Sequence, residues 1–191
     1  MNSLQLVSSL LSMQIRGVGS PEAAEQLALA SRRITTIALV HRHIHQSDGV
    51  DKASCKGYLE RLCEDLCSTM RSGDSDAVAV VSDDVEFATG QIVPLGLMVN
   101  ELVTNSVKHG ARRITVSLRR EAPEGYVLTV TDDGTGLPAD FDPASTPGFG
   151  MKMLSALAGQ LGGELRFGGA SSASGANFSI HVAKIPAAQN L

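Results

Sequence analysis

Apolar positions recur at three- and four-residue intervals along the first part of the chain. Leu4, Val7, Leu10, Leu11 and Ile15 make one such line, and Leu27, Ala30, Ile34, Ile37, His41 and Ile44 make a second. Each traces a single stripe on a helix. Gly17 and Gly19 separate the two, and Ser20, Pro21 and Glu22 open the second with a cap, a residue suited to the first helical position and an anion in the first turn. Two antiparallel helices, over about residues 2–16 and 20–45, are therefore expected. A hairpin with one apolar stripe per helix cannot bury its own seam, so it is expected to pair with a second copy as a four-helix bundle.

The segment Ser47-Asp48-Gly49-Val50-Asp51 reads as a boundary, followed by a helix over residues 54–71. From residue 76 the period changes. Val78 to Val81 form a short strand candidate, and a helix over residues 92–109 has Pro94 in its first turn and Gly110 as its stop. Alternation of period two marks Ile114, Val116 and Leu118, then Tyr126, Leu128 and Val130, as strands. Residues 137–149, rich in Pro, Asp, Ser and Gly, read as a mobile loop. A helix begins at Gly150 and stops at Gly162-Gly163, and strands near residues 165–167 and 177–182 follow. The fold class is α+β: a helical hairpin over residues 1–50, then a two-layer α/β sandwich over residues 51–191.

At 191 residues and 43% hydrophobic content the chain can bury a substantial core. Its 16 basic and 20 acidic residues leave a net charge of -4, so no basic excess answers a nucleic-acid backbone and nucleic acid is excluded as a main partner. No apolar run approaches the roughly 20 residues that cross a bilayer, and no leader pattern opens the chain. A cytoplasmic location without membrane contact by this segment is expected. Cys55, Cys63 and Cys67 fall in one expected helix and read as small buried residues in a reducing compartment.

Candidate chemistry concentrates in three segments. On the helix of residues 92–109, Glu101, Asn105 and Lys108 share one stripe through spacings of four and three. Asn105 offers a neutral oxygen to magnesium, Lys108 a point charge to phosphate, and His109 can turn toward the same groups. A nucleoside triphosphate brings about four negative charges and calls for such a set. Next, Asp132 ends a strand before Asp133-Gly134-Thr135-Gly136, where glycine permits close approach of a flat ring. Its carboxylate can accept a hydrogen bond from an exocyclic amino group, which distinguishes adenine from guanine. Finally, Gly148-Phe149-Gly150-Met151 opens a helix whose unpaired N–H groups favour phosphate.

The order N-E-L-V-T-N-S-V-K-H, D-D-G-T-G-L, G-F-G-M and Gly175-Ala176-Asn177-Phe178 resembles the N, G1, G2 and last glycine boxes of the GHKL ATP-binding superfamily. Within it the chain is most similar to bacterial sensor histidine kinases of the HWE-related, H-R-x-x-N type, and the likeness extends over nearly the whole chain. It implies ATP and Mg²⁺ as cofactors, with Asn105 on the metal, Asp132 on the adenine amino group, and Lys108 and His109 on phosphates. Gly134, Gly136, Gly148 and Gly150 would shape the pocket and lid. Glu101 matches the residue that activates water in ATPase members, a reaction a kinase must suppress, so a supporting role is expected for it.

The resemblance further implies a homodimer through the hairpin, phosphorylation of a hairpin histidine and transfer to an aspartate of a response-regulator receiver domain. The family's acceptor box reads roughly H-R-V-K-N, and Asn2 aligns with its asparagine, so the acceptor histidine is expected upstream of Met1. Two alternatives keep the architecture without autokinase activity: a histidine phosphotransferase and a nucleotide-binding regulatory module. His41, His43 and His45 are expected to pack or cap, and His181 to be solvated.

Overall fold

A computed structural model describes residues 52–70, 77–121, 125–143, 145, 150–169 and 175–182, with Gly19, Ser20, Ala23, Leu27, Ala30, Ser31 and Ile34 of the amino-terminal segment. Chain contacts divide the molecule into two compact units, Met1–Val50 and Asp51–Leu191. In the first, the described residues Ala23, Leu27, Ala30, Ser31 and Ile34 are helical. Ser20 Oγ accepts from Ala23 N–H at 3.4 Å, the cap its position before Pro21 leads one to expect. The rest of the hairpin, including His41, His43 and His45, lies outside the described residues.

The second unit runs β1 (Lys52–Ser54), α1 (Cys55–Met70), β2 (Ala77–Ser82), β3 (Glu86–Ala88), α2 (Thr89–Lys108), β4 (Arg113–Glu121), β5 (Gly125–Asp132), α3 (Gly150–Gln160), β6 (Gly163–Gly169) and β7 (Ala176–Val182). Five strands make one sheet in the order β2-β4-β5-β7-β6, and β1 pairs with β3 apart from it. β2 runs parallel to β4; every other neighbour is antiparallel.

The alternation of apolar and polar residues decides which face is covered. Ile114, Val116 and Leu118 of β4, Leu128 and Val130 of β5, and Phe178, Ile180 and Val182 of β7 are all buried on one face. α1 packs on β2, α2 on β4 and β5, and α3 on β6 and β7, with α2 touching both other helices. Between its ends α2 buries Ile92, Leu95, Met98, Val99, Leu102 and Val103. Each such side chain stabilises the fold by about 1.5–3 kcal/mol relative to exposure. The opposite face carries Thr129, Thr131, Asn177 and Ser179, and Asn177 Nδ2 donates to Thr131 Oγ1 at 2.9 Å. The result is the two-layer sandwich expected from the pattern.

Three details differ from that pattern. β1 and β3 are strands of three residues that no periodicity announces. α2 begins at Thr89, so Pro94 stands inside the helix rather than in its first turn. Pro94 is buried and cannot donate to the Gly90 carbonyl, so that helix bond is given up next to the exposed Gly90. His181 is held rather than solvated: its Nδ1 lies 3.1 Å from Glu121 Oε2 and its Nε2 3.3 Å from Ser179 Oγ, with 26% of its side chain exposed.

Candidate functional site

Glu101, Asn105 and Lys108 share one stripe of α2, graded in exposure. Glu101 is buried, Asn105 half-buried, and Lys108 and His109 exposed. The stripe thus offers a carboxylate at depth and a cation at the helix's last turn, where the dipole favours positive charge. Gly110, at φ 79°, ends the helix. Ala111 N–H donates to the Ser106 carbonyl and Gly110 N–H to the Val107 carbonyl, both at 3.0 Å, which is the paired closure of a left-handed carboxyl cap.

That closure turns the chain toward the end of β5. Thr135 N–H donates to the His109 carbonyl at 3.2 Å, and a Cβ at Gly134 would lie 2.9 Å from that same oxygen. Only glycine passes there. The end of α2 and the segment from Asp132 to Gly136 are therefore one structure.

Asp132, 9% exposed, is the centre of it. Its Oδ1 accepts from Gly134 N–H at 2.9 Å and from Ala176 N–H at 3.1 Å. Its Oδ2 accepts from Ser106 Oγ at 2.7 Å. Ser106 also lies 3.1 Å from the Leu102 carbonyl, but its single proton goes to the nearer, charged acceptor. A carboxylate offers about four lone-pair sites, and these three donors leave one on Oδ2. Asp132 is thus rigidly oriented and still able to accept from one N–H of a ligand.

Asp133 faces the other way. Its Oδ1 accepts from the N–H groups of Arg112 and Arg113, each at 2.8 Å, and its Oδ2 from Arg113 Nε at 2.9 Å. The Arg113 backbone and guanidinium, then the Arg112 backbone, hold this exposed carboxyl down to about 2. It fastens the turn after α2, while Asp132 faces inward.

Gly175, at φ 111°, is the point of closest approach: a Cβ would run into the Asp132 carbonyl and lie 3.1 Å from Asp133 Cα. Gly136, at φ 78°, faces Gly175 in turn. The last glycine box thereby supplies the Ala176 N–H that orients Asp132.

On the far side of the loop, Gly150 begins α3 against the Glu101 side chain. Met151 is buried with Leu154 and Ala158 on the inner face of α3, so it contributes wall rather than a polar contact. Gly148 and Phe149 lie outside the described residues. Before them, Phe141 N–H donates to the Pro138 carbonyl at 3.1 Å, and its ring meets Phe167 and Phe178 with centroids 5.1 and 6.1 Å apart, both edge-on.

Ser106, the Ala176 N–H and Phe141 escaped the reading of the sequence. Ser106 left a signal, because it continues the apolar line of Val99 and Leu102, and a hydroxyl on a buried face needs a partner.

Among the described residues no three His, Cys, Asp or Glu side chains are grouped to hold a metal by themselves. Magnesium fits such a site when one protein oxygen and several phosphate oxygens share it, which suits the Asn105 amide. No helix among the described residues is long and apolar enough to cross a membrane.

Residues 90–188 match the family model of histidine kinase-, DNA gyrase B- and HSP90-like ATPases. Residues 1–70 match a histidine kinase model. Blue-light-activated histidine kinase 2 of Erythrobacter litoralis is 30% identical over 177 residues, covering 86% of this chain and 49% of that protein. Sensor histidine kinase PdtaS of Mycobacterium tuberculosis is 26% identical over 161 residues, covering 82% of this chain and 32% of its own. The chain thus spans between a third and a half of the length of these curated relatives. The solved EL346 blue-light activated histidine kinase of Erythrobacter litoralis shares the fold, with a TM-score of 0.72 at 21% identity over 95% of this chain and 60% of that one.

Proposed function

We propose that this chain, which belongs to the histidine kinase-, DNA gyrase B- and HSP90-like ATPase family and carries a histidine-kinase core, binds ATP with Mg²⁺ for phosphoryl transfer to a histidine of its dimerisation hairpin. Residues 1–50 are the hairpin of a homodimer in this reading, and residues 51–191 the catalytic domain. A receiver-domain aspartate of a response regulator takes the group onward.

The observation that carries the reading is the Asp132 carboxylate, buried, held by three donors and left with one acceptor site beside the polar edge of α2. The three donors offset the cost of burying the carboxylate and fix its direction, which leaves its remaining lone pair aimed at one place. Asp132 would accept from the adenine amino group, Asn105 would give its amide oxygen to the metal, and Lys108 and His109 would meet phosphate charge at the exposed end of the stripe. Gly148, Phe149 and Gly150 would close over the phosphates. The bound Mg·ATP supplies the phosphoryl group and the metal's charge; the protein's part is positioning and neutralisation. A relay protein without nucleotide binding would have no use for the acceptor site left on Asp132.

Calorimetric titration with ATP tests the reading. Binding should require Mg²⁺, disappear with chelator, and weaken at least tenfold in Asn105→Ala, a loss of about 1.4 kcal/mol. Labelled ATP, offered to the chain and to a form extended upstream through the acceptor box, should label the histidine of the extended form. No magnesium-dependent uptake at millimolar ATP would sink the proposal, and uptake without any labelling would leave a nucleotide-binding regulatory module.

A further inference from the structure

The five-stranded sheet ends on one side at β2, and no described strand lies beyond it. Asp83 N–H donates to the Leu118 carbonyl at 2.9 Å, so the residue that follows β2 turns its backbone toward β4. That direction alternates along a strand. Val81 and Ala79 therefore also face β4, while Val78, Val80 and Ser82 present N–H and carbonyl groups to the open side. Natural sheets blunt such an edge with lysine, proline or a bulge. β2 reads Ala-Val-Ala-Val-Val-Ser, pairs with β4 in unbroken register and has none of these. The same edge borders a groove of about 490 Å³, with half-buried Val78 and Val80 on one side and Glu60, Cys63, Glu64 and Cys67 of α1 on the other. Those four stand at i, i+3, i+4 and i+7, one face of the helix. The lining thus holds an apolar floor, two carboxylates and no basic group, and neither carboxylate is in an ion pair among the described residues.

We propose that this edge is a docking site for an extended basic segment of a partner protein, which joins the sheet as a further strand beside β2. Backbone bonds to Val78, Val80 and Ser82 hold the segment, and the groove selects its side chains. A residue set opposite Val80 sends its side chain to the same face as Val80, into the groove. There a lysine or arginine lays its apolar stem against Val78 and Val80 and brings its charge to Glu60 and Glu64. Basic residues at alternate positions are the pattern that fits. A second copy of β2 does not suit, because a two-fold axis would bring Glu60 and Glu64 of both copies to one seam. β4 lies between β2 and β5, the strand that ends at Asp132, so docking here is separate from nucleotide binding.

The probe is a fluorescein-labelled peptide of alternating lysine and valine, about seven residues long, titrated into the complete chain and followed by anisotropy. Its altered forms carry glutamate for lysine, N-methyl groups on every lysine, or N-methyl groups on every valine. Each methylated form loses the donors of one edge and keeps the charge. The parent peptide should bind and the glutamate form should not. One methylated form should bind at least tenfold more weakly while the other stays within about threefold, because only one edge of the peptide meets β2. V80P, a proline where the N–H faces outward, and the charge reversal E60K/E64K should each weaken binding at least tenfold. Bound peptide should also slow alkylation of Cys67 by iodoacetamide, since Cys67 lines the groove.

No binding at ~1 mM peptide overturns the proposal. So does equal binding of both methylated forms and the parent, because adhesion by charge alone is indifferent to backbone donors. Binding that leaves the alkylation of Cys67 unchanged puts the peptide elsewhere and overturns it as well. Sedimentation of wild type and V80P tests the other occupant: a wild-type assembly that V80P makes smaller gives the edge to a second copy, and the proposal falls. Should either variant fail to fold, the methylated peptides and the Cys67 readout decide on wild-type protein.

Discussion

Asp132 and Asp133 are chain neighbours with opposite duties, because a strand end sends successive side chains to opposite sides. Asp132 turns inward to Ser106, Gly134 and Ala176; Asp133 turns outward to Arg112 and Arg113. The inward carboxylate depends on its donors more than an exposed one would, since each lone pair left bare in a buried setting carries a desolvation cost. Ser106→Ala removes one donor and should destabilise the protein by about 1–3 kcal/mol. Denaturant unfolding measures that loss, and an unchanged midpoint would contradict the hydrogen bond. Asp132→Asn exchanges half of the acceptor capacity for an NH₂ that faces other donors. It should weaken ATP binding at least tenfold while leaving weak binding of GTP little changed, read by parallel titrations. Equal losses for both nucleotides would mean that Asp132 supports the pocket without reading the base.

Among the elements, α1 shows how burial alone grades chemistry along one helix. Cys55 and Cys63 are buried, and burial pushes both thiols up to about 12, with the neighbouring Cys67 and Glu64 adding to the effect at Cys63; Cys67 is half-buried. Thiolate is the reactive form. Iodoacetamide near pH 8 should therefore modify Cys67 in the native protein and reach Cys55 and Cys63 only on unfolding, which peptide mass spectrometry resolves. Modification of Cys63 as fast as Cys67 would contradict the packing. The sign of the linkage is alkaline: both groups ionise more easily unfolded, so their contribution is complete below about pH 9 and is lost as pH climbs toward 12. All three cysteines were legible as helix residues, with Cys55 and Cys63 buried as expected and Cys67 only half-buried, and the α2 stripe was legible because a 3.6-residue period repeats over 20 residues of helix. β1 and β3 were not, since three residues hold too little alternation to separate strand from loop. The start of α2 was missed because Pro94 imitates a first-turn proline, whereas burial of Ile92 and Leu95 extends the helix back to Thr89. Asp132 was readable as a strand-end carboxylate beside glycines, but its donors come from Ser106 and Ala176, 26 and 44 residues away, a pairing only the folded sheet creates.

For the molecule as a whole, β4 is the strand on which the parallel and antiparallel halves of the sheet meet, and both of its ends are fastened by exposed carboxylates. Asp133 holds the entry through Arg112 and Arg113. Asp83, just past β2, holds the exit: Arg120 N–H donates to its Oδ2 at 2.9 Å and Arg119 Nη1 to its Oδ1 at 2.7 Å. The Arg120 backbone bond and then the Arg119 guanidinium hold the Asp83 carboxyl below its ordinary value, as the Arg113 contacts hold Asp133 down to about 2. An ion pair at such exposed sites is worth little by itself. Its pH dependence is nevertheless specific, because both carboxyls bind protons more weakly in the folded state. The support they give is complete above the unfolded value near 3.8 and is lost as pH falls through about 2 for Asp133, so acid should release β4 at both ends. Unfolding measured by denaturant at a series of pH values from 2 to 5 should give a stability that climbs with pH. Asp133→Asn and Asp83→Asn should each flatten the climb, and the double variant should flatten it most. A double variant with the full wild-type slope would show that acid acts on other groups and that the two clasps do not couple the sheet to pH.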